Sequence, residues 1–375
     1  MNKKNKFNIL HIDAFKGFGG GQNDIVILLK FIKEYHSGKF DIFVIHNDNE
    51  RLKCELDKYG IKNFSIKMTN FLDIAAIFRI RQFLKSYDID LINFHSSLDH
   101  FLGGIAAVSI FKKKIIKILT RHVAYKVDFL KGYLIYNILT DRFITISEFI
   151  KERLVSDVGI NPKKIETIYS PRIYGESSAG ETEKDEVKEE LGIKKEEKMV
   201  SLIGRLSKEK GHEVFISAAE IIVKIRKDIK FVIIGEGPLE KRIKDLIAAK
   251  KLQEYFILSG FKENINRFIA ASDIIAVPSG LEGMGSIIIE SCALKKAVIA
   301  SDVGGIPEII KNNETGLLFK NGDFFELADK IIYLIDKYDL IENFSSNCYN
   351  EVVKKFDAKI VASETALFYG KLLKS

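Results

Sequence analysis

Apolar positions along the chain alternate between two spacings. Phe7–Ile12 and Asp41–His46 have the length and composition of buried strands, and between them Asn23–Tyr35 repeats Ile25, Leu28, Leu29 and Ile32 at helical spacing. Leu91–Phe94, Ile115–Leu119 and Arg142–Ile146 read as further strands. Such alternation predicts parallel strands joined by crossover helices, an α/β doubly wound sheet. From Ser177 to Lys198 the pattern lapses into polar and charged residues, with a short helix expected over Asp185–Leu191. It then restarts with a strand at Met199–Ile203 and a helix at His212–Ile225. Phe231–Ile234, Phe256–Leu258, Ile274–Val277 and Ala297–Ala300 read as the next strands. The expected organisation is a domain over 1–172, a linker with an entry helix over 173–198, and a second domain over 199–356. A closing helix over 357–375 is expected to pack back on the first domain.

Composition adds limits. At 375 residues the chain is long for one core and suits two domains. No run approaches the roughly 18 apolar residues of a spanning helix, and the apolar run at Phe7–Ile12 is too short for a secretory signal core. A cytoplasmic protein is expected. Its three cysteines (Cys54, Cys292 and Cys348) are far apart and form no CxxC pair, which predicts three reduced thiols. Metal-ligand spacing is absent, so no metal and no cofactor are expected. Residues 1–170 hold 27 Lys/Arg and 18 Asp/Glu, against 31 and 33 in the remainder. The basic first half is read as solvated surface or as a face for an anionic membrane or acceptor. No recognised nucleic-acid motif accompanies the charge, so nucleic acid is not an expected partner.

The chemistry-bearing loops all follow predicted strands. Gly19-Gly20-Gly21 opens the first helix, where glycines let a ligand approach backbone and the helix terminus favours anions. Its spacing is not G-x-G-x-x-G, which argues against a dinucleotide; a plain turn is the other reading. Gly204-Arg205-Leu206 with Lys210-Gly211 places a guanidinium and an ammonium beside a helix start, able to neutralise a diphosphate or simply to be solvated. Gly235-Glu236-Gly237-Pro238 reads as a tight turn with Pro238 near the first helical position. The richest segment runs from Pro278 to Glu290. Glu282 lies in a Gly-rich loop, a helix begins near Gly285 or Ser286, and Glu290 lies inside it. Two carboxylates repel bare phosphate but accept hydrogen bonds from sugar and ribose hydroxyls, while loop amides can face phosphate. His95 and His122 each follow a strand of the first half.

These residues resemble glycosyltransferase family 4, whose members have the two-lobed GT-B fold of two Rossmann-like domains facing each other across a cleft. Glu282 to Glu290 looks like the family's E-x7-E motif, Gly304–Glu308 like its GGIPE element, and Asn313–Gly316 like its N-x-x-T-G element. Gly204-Arg205-Leu206 with Lys210-Gly211 looks like the GRL…KG motif. Ile146-Ser147-Glu148 with Ile165–Ser170 looks like the stretch closing the first lobe. Asn93 replaces the first His of the family's H-x-H and leaves His95, and Met284 stands where Phe or Tyr is commoner, which bears on the sugar pocket. The resemblance implies a retaining, metal-independent transfer from a nucleotide-sugar donor, a UDP- or GDP-sugar, to a glycan or lipid-linked acceptor. It implies catalytic roles for His122, Arg205, Lys210 and Glu282. Donor binding would fall to Gly20, Gly21, Gly204, Gly235, Gly283, Met284, Gly285, Ser286 and Glu290. Gly19, Gln22 and His95 would lie near the acceptor or the sugar. The setting implied is cell-envelope polysaccharide or lipopolysaccharide assembly, with peripheral contact at the inner membrane face through the basic, Phe-rich stretches Phe71–Tyr87 and Phe111–Leu134. The rival readings are a nucleotide-sugar epimerase on the same scaffold and a non-catalytic binder.

Overall fold

The computed structural model describes residues 6–111, 113–125, 129–173 and 181–374, without the side chains of 129–131 and 181–182. The chain forms two compact units, one of residues 1–174 with 356–375 and one of 175–355.

The first unit holds seven parallel strands: β1 (Phe7–Asp13), β2 (Phe40–His46), β3 (Lys62–Ser65), β4 (Leu91–Phe94), β5 (Ile116–Arg121), β6 (Arg142–Thr145) and β7 (Ile165–Thr167). Their order is β3-β2-β1-β4-β5-β6-β7. The crossovers are α1 (Gly20–His36), α2 (Glu50–Lys58), α3 (Ile74–Ser86), α4 (Ser97–Val108), α5 (Phe129–Leu139) and α6 (Glu148–Val158). Helices on both faces explain the continuous apolar runs of the central strands. The edge strands β3 and β7 are short and polar, as in Lys62-Asn63-Phe64-Ser65, which is why the hydrophobic pattern misses them. The last helix of the chain (Ala358–Lys374) packs against α1. Its Val361, Ala362, Ala366 and Tyr369 share a core with Ile25, Leu29, Ile32 and Val44. Burying a side chain as large as Tyr369, which is fully enclosed, contributes on the order of 2 kcal/mol.

The second unit repeats the plan with β8 (Lys198–Ile203), β9 (Ile229–Ile234), β10 (Phe256–Gly260), β11 (Ile274–Val277), β12 (Ala297–Ser301) and β13 (Leu317–Phe319), in the order β10-β9-β8-β11-β12-β13. Its helices are α7 (Glu181–Glu190), α8 (His212–Ile225), α9 (Glu240–Ala249), α10 (Ile265–Ala271), α11 (Ser286–Ala293), α12 (Phe324–Asp336) and α13 (Tyr338–Phe356). α8 buries Phe215, Ile216, Ala219, Ile222 and Val223 along one stripe against the sheet.

One expectation fails. Cys292 on α11 and Cys348 on α13 are joined in a disulfide, with Cα atoms 5.3 Å apart, and only Cys54 is free. The pair stands 56 positions apart in sequence. Only the packing of α13 beside α11 brings them together, so spacing could not announce it.

Candidate active site

Both sheets change winding direction beside their first strand, between β1 and β4 and between β8 and β11. Ligands of open parallel sheets bind outside the carboxyl ends of the strands at such points. In each unit the loops that end these strands decide the chemistry.

In the second unit β8 runs through Gly204 and Arg205 into a 3₁₀ turn at Lys208–Lys210, and Gly211 turns the chain into α8. Gly211 has φ +71°, and a Cβ there would stand 1.8 Å from the carbonyl oxygen of Pro278. Only glycine lets this loop lie against the end of β11. The contact is fastened by the N–H of Gly280, which donates to the carbonyl of Glu209 at 2.8 Å. It carries Lys210 Nζ to 2.5 Å from Oε1 of Glu282. That oxygen also accepts from Ser279 Oγ at 2.9 Å. The loop is held from its other side by the turn after β12. A Cβ on Gly304 would stand 2.0 Å from the carbonyl oxygen of Glu282, and one on Gly305 would stand 2.3 Å from that of Gly283. The Gly305 N–H donates to the Glu282 carbonyl at 3.2 Å.

Gly285, at φ +89°, caps α11, whose first residue is Ser286, and the Ile288 N–H donates to the Gly285 carbonyl at 3.0 Å; the first amides of a helix have no partner within the helix and favour anions. Glu290 sits half-buried within that helix and Arg205 is exposed. Met284, which stands where Phe or Tyr is commoner, is buried at 4% exposure. Gly235 is a packing residue: its Cβ would lie 2.0 Å from the Gly204 carbonyl oxygen, so it seats the Arg205 loop. Pro238 precedes α9 rather than opening it, since that helix begins at Glu240 with Leu239 as cap. These loops thus carry two cations and a helix start, and with them two carboxylates, of which Glu282 contacts Lys210. The first pair of features suits phosphate, the second suits hydroxyls.

In the first unit Gly19 caps α1, and Gly20 and Gly21 are that helix's first residues after the turn from β1. The Gly19 N–H donates to Gln22 Oε1 at 3.1 Å, and Gln22 Nε2 donates to Asp13 Oδ2 at 2.9 Å. The buried Gln22 amide is therefore engaged in fixing the turn. Arg172 pairs with Asp24 at 2.7 Å and donates to the Gly20 carbonyl at 3.2 Å. His122 follows β5 directly, and its Cγ lies 3.9 Å from where a Gly21 Cβ would stand. Its Nε2 lies 3.0 Å from His95 Nδ1, and His95 Nε2 lies 2.9 Å from His11 Nδ1. Beyond His11 come the Tyr369 hydroxyl at 3.4 Å and Asn93, whose Nδ2 donates to that hydroxyl at 2.8 Å. Burial lowers the pKa of His11 to about 3 and that of His122 to about 4, the latter helped by the charges of Arg172 and Arg121. His95 is pushed well down by burial and by its two histidine neighbours. Asp99 accepts from the N–H groups of Ala14, His95 and Ser96 and so ties the loops after β1 and β4. Burial, and after it the neighbouring Asp13, raises its pKa to about 8.

The structure brings Lys210 and Glu282 into contact, and likewise His95 and His122. His11 and Tyr369 were not singled out from sequence. The available signal was a histidine inside the strand Phe7–Asp13, between the buried apolar residues Leu10 and Ile12. Among the described residues no group of His, Cys, Asp and Glu side chains is arranged to hold a metal, and no helix is long and apolar enough to cross a membrane.

Comparison with known proteins agrees with this plan. Residues 20–171 match the family described as Glycosyltransferase Family 4, and residues 183–351 match Glycosyl transferases group 1. The chain is 28% identical over 194 residues to an alpha-D-kanosaminyltransferase of Streptomyces kanamyceticus, covering 51% of this chain and 50% of that protein. It is 24% identical to the UDP-Gal:alpha-D-GlcNAc-diphosphoundecaprenol alpha-1,3-galactosyltransferase of Escherichia coli, over 94% of each chain. The crystal structure of Anabaena Alr3699/HepE in complex with UDP and glucose superposes with a TM-score of 0.85 at 19% identity, covering 97% of this chain and all of that one. With a parallel Rossmann-like sheet in each unit and family matches to both, the chain belongs to glycosyltransferase family 4 and is a glycosyltransferase of GT-B fold.

Proposed function

We propose that the protein transfers a sugar, with retention of anomeric configuration and without a metal, from a UDP-sugar to a glycan or lipid-linked acceptor of the cell envelope. The observation that carries this is the Lys210–Glu282 contact at the β8/β11 switch point, on loops that also bear Arg205 and lead into α11 with Glu290. Arg205 and Lys210 hold the donor diphosphate. They neutralise the charge that develops on its leaving oxygen as the bond to the anomeric carbon breaks. The amides from Gly283 to Ser286 meet the phosphates, Glu290 accepts from the ribose hydroxyls, and Glu282 accepts from the sugar while steering Lys210. The acceptor hydroxyl adds on the face the diphosphate leaves, and its proton passes to the departing phosphate oxygen. Uridine is supported by the UDP of the Anabaena complex and by the name of the Escherichia coli relative. A lipid-linked acceptor is supported by that same name and by exposed apolar side chains of the first unit: Phe71, Leu72, Ile74, Phe78 and Phe111.

The test is incubation with labelled UDP-sugars, with and without a polyprenyl-diphosphate glycan acceptor. Label should appear in the acceptor in the α configuration, chelator should leave the rate unchanged, and Lys210→Ala should lower it roughly 100-fold or more. Full conversion of donor without acceptor would favour an epimerase. A Lys210→Ala rate equal to wild type would overturn the catalytic assignment.

A further inference from the structure

The three histidines of the first unit form a file with a direction. Each ring is neutral, because burial holds its pKa far below the ordinary value. A neutral imidazole has one donor and one acceptor nitrogen, so the bonds His11–His95–His122 must all run one way. Two arrangements exist. If Tyr369 donates to His11 Nε2, His11 and His95 each donate from Nδ1 and His122 is left protonated on Nδ1. If His122 donates from Nε2, the order reverses and His11 donates to Tyr369.

The far end decides between them. Asn93 Oδ1 accepts from Thr120 Oγ1 at 2.8 Å and its amide nitrogen donates to the Tyr369 hydroxyl at 2.8 Å; turning the amide over would leave the Thr120 hydrogen without this acceptor. In the reversed order that hydroxyl would accept twice, and its own hydrogen would point at no acceptor among the described residues. Tyr369 is fully buried, so no solvent would replace the bond. The forward order uses that hydrogen and leaves one unpaired group in the file, the His122 Nδ1–H, whereas the reversed order leaves two, the Tyr369 hydrogen and the His122 Nδ1 lone pair, and the forward order is favoured by that difference. At the near end, His122 Nδ1 is out of solvent contact with no hydrogen-bond partner among the described residues. It lies beside Gly21, where no side chain intervenes.

We propose that Tyr369, oriented by Asn93 and Thr120, sets the direction of the file and holds His122 as the Nδ1–H tautomer, so that this ring offers a ligand oxygen a hydrogen-bond donor and cannot take up a proton there. Tyr369, His11, His95 and Asn93 are positioning residues acting through His122. The use of that donor toward a sugar or phosphate oxygen rests on the glycosyl-transfer reading; the tautomer itself does not.

The experiment is long-range proton–nitrogen correlation NMR on the full chain labelled with nitrogen-15 histidine, near pH 7 and without substrate, each ring assigned by single substitution. His11, His95 and His122 should all show Nδ1 in the protonated range and Nε2 in the lone-pair range. Tyr369→Phe keeps the ring in its core and removes only the hydroxyl, and the Nδ1–H excess at His122 should fall toward parity. A wild-type His122 protonated on Nε2 would overturn the proposal. So would a Tyr369→Phe spectrum in which His122 stays fully Nδ1–H. Either result would leave donor binding and transfer untouched, since both are read separately.

Discussion

Substituting Gly304 by Ala probes the support of the Glu282 loop. The residue has φ +58°, and an added Cβ would lie 2.0 Å from the Glu282 carbonyl oxygen, against an ordinary contact beginning near 3.4 Å. The left-handed backbone alone costs an alanine about 1–2 kcal/mol. Relieving the contact requires the two loops to part by about 1.4 Å, and a shift of that order in a positioned group costs on the order of 100-fold in rate. The stability loss should therefore reach about 2–4 kcal/mol, with kcat/KM down roughly 100-fold. Two companions separate the causes. Gly322→Ala shares the left-handed backbone (φ +81°) but meets nothing within 4 Å, so it should lose about 1 kcal/mol and no activity. Gly305→Ala has an ordinary φ of −84° but would meet the Gly283 carbonyl at 2.3 Å, so it should lose activity without the backbone strain. Chemical denaturation and initial transfer rates measure both effects. If Gly304→Ala behaves like Gly322→Ala, the bracing of Glu282 by this turn is refuted.

Three further outcomes follow from other parts of the structure. Burial lowers the His100 pKa to about 4, so the unfolded chain takes up a proton between pH 6.5 and 4 that the folded chain refuses, and stability falls as pH falls through that window. Wild type should lose about 3 kcal/mol more than His100→Gln between pH 7 and pH 4 in parallel urea titrations, and equal losses would contradict the burial effect. Reducing Cys292–Cys348, which closes a 56-residue separation, should destabilise the second unit by up to about 4 kcal/mol, seen as a lower unfolding midpoint with dithiothreitol; an unchanged midpoint would count against a structural bond. Leu72→Ser with Phe111→Ser, at positions 85% and 95% exposed, should weaken sedimentation with anionic vesicles by tenfold or more while leaving the melting temperature alone; equal sedimentation would remove the membrane reading.

The fold class was legible because central parallel strands are apolar on both faces, so Leu91–Phe94 and Ile274–Val277 read as strands to the residue. Lys62–Ser65 was not, since a short edge strand carries no such pattern. On the site side, glycines beside Glu282 pointed to a loop of special geometry, and Gly304 and Gly305 show what requires it: backbone against backbone. The histidine file lay beyond sequence reasoning. His11 reads as a flaw in a strand, Asn93 as a departure from a motif, and Tyr369 stands 276 residues from Asn93. Their meaning arises only when parallel pairing sets His11 opposite Asn93 and the last helix returns to α1. Contacts set by register and by distant segments leave no local trace in composition or period.

The central claim is that the Gly204–Lys210 loop and the Glu282–Glu290 segment form a nucleotide-sugar donor site. Titration calorimetry with UDP, GDP, ADP and CDP and their sugars, on wild type and on Arg205→Ala and Lys210→Ala, tests it most directly. Saturable 1:1 binding of a uridine donor is expected, weakened at least tenfold by loss of either cation. Absence of binding to every nucleotide at millimolar concentration, or affinity unchanged in both variants, would contradict it.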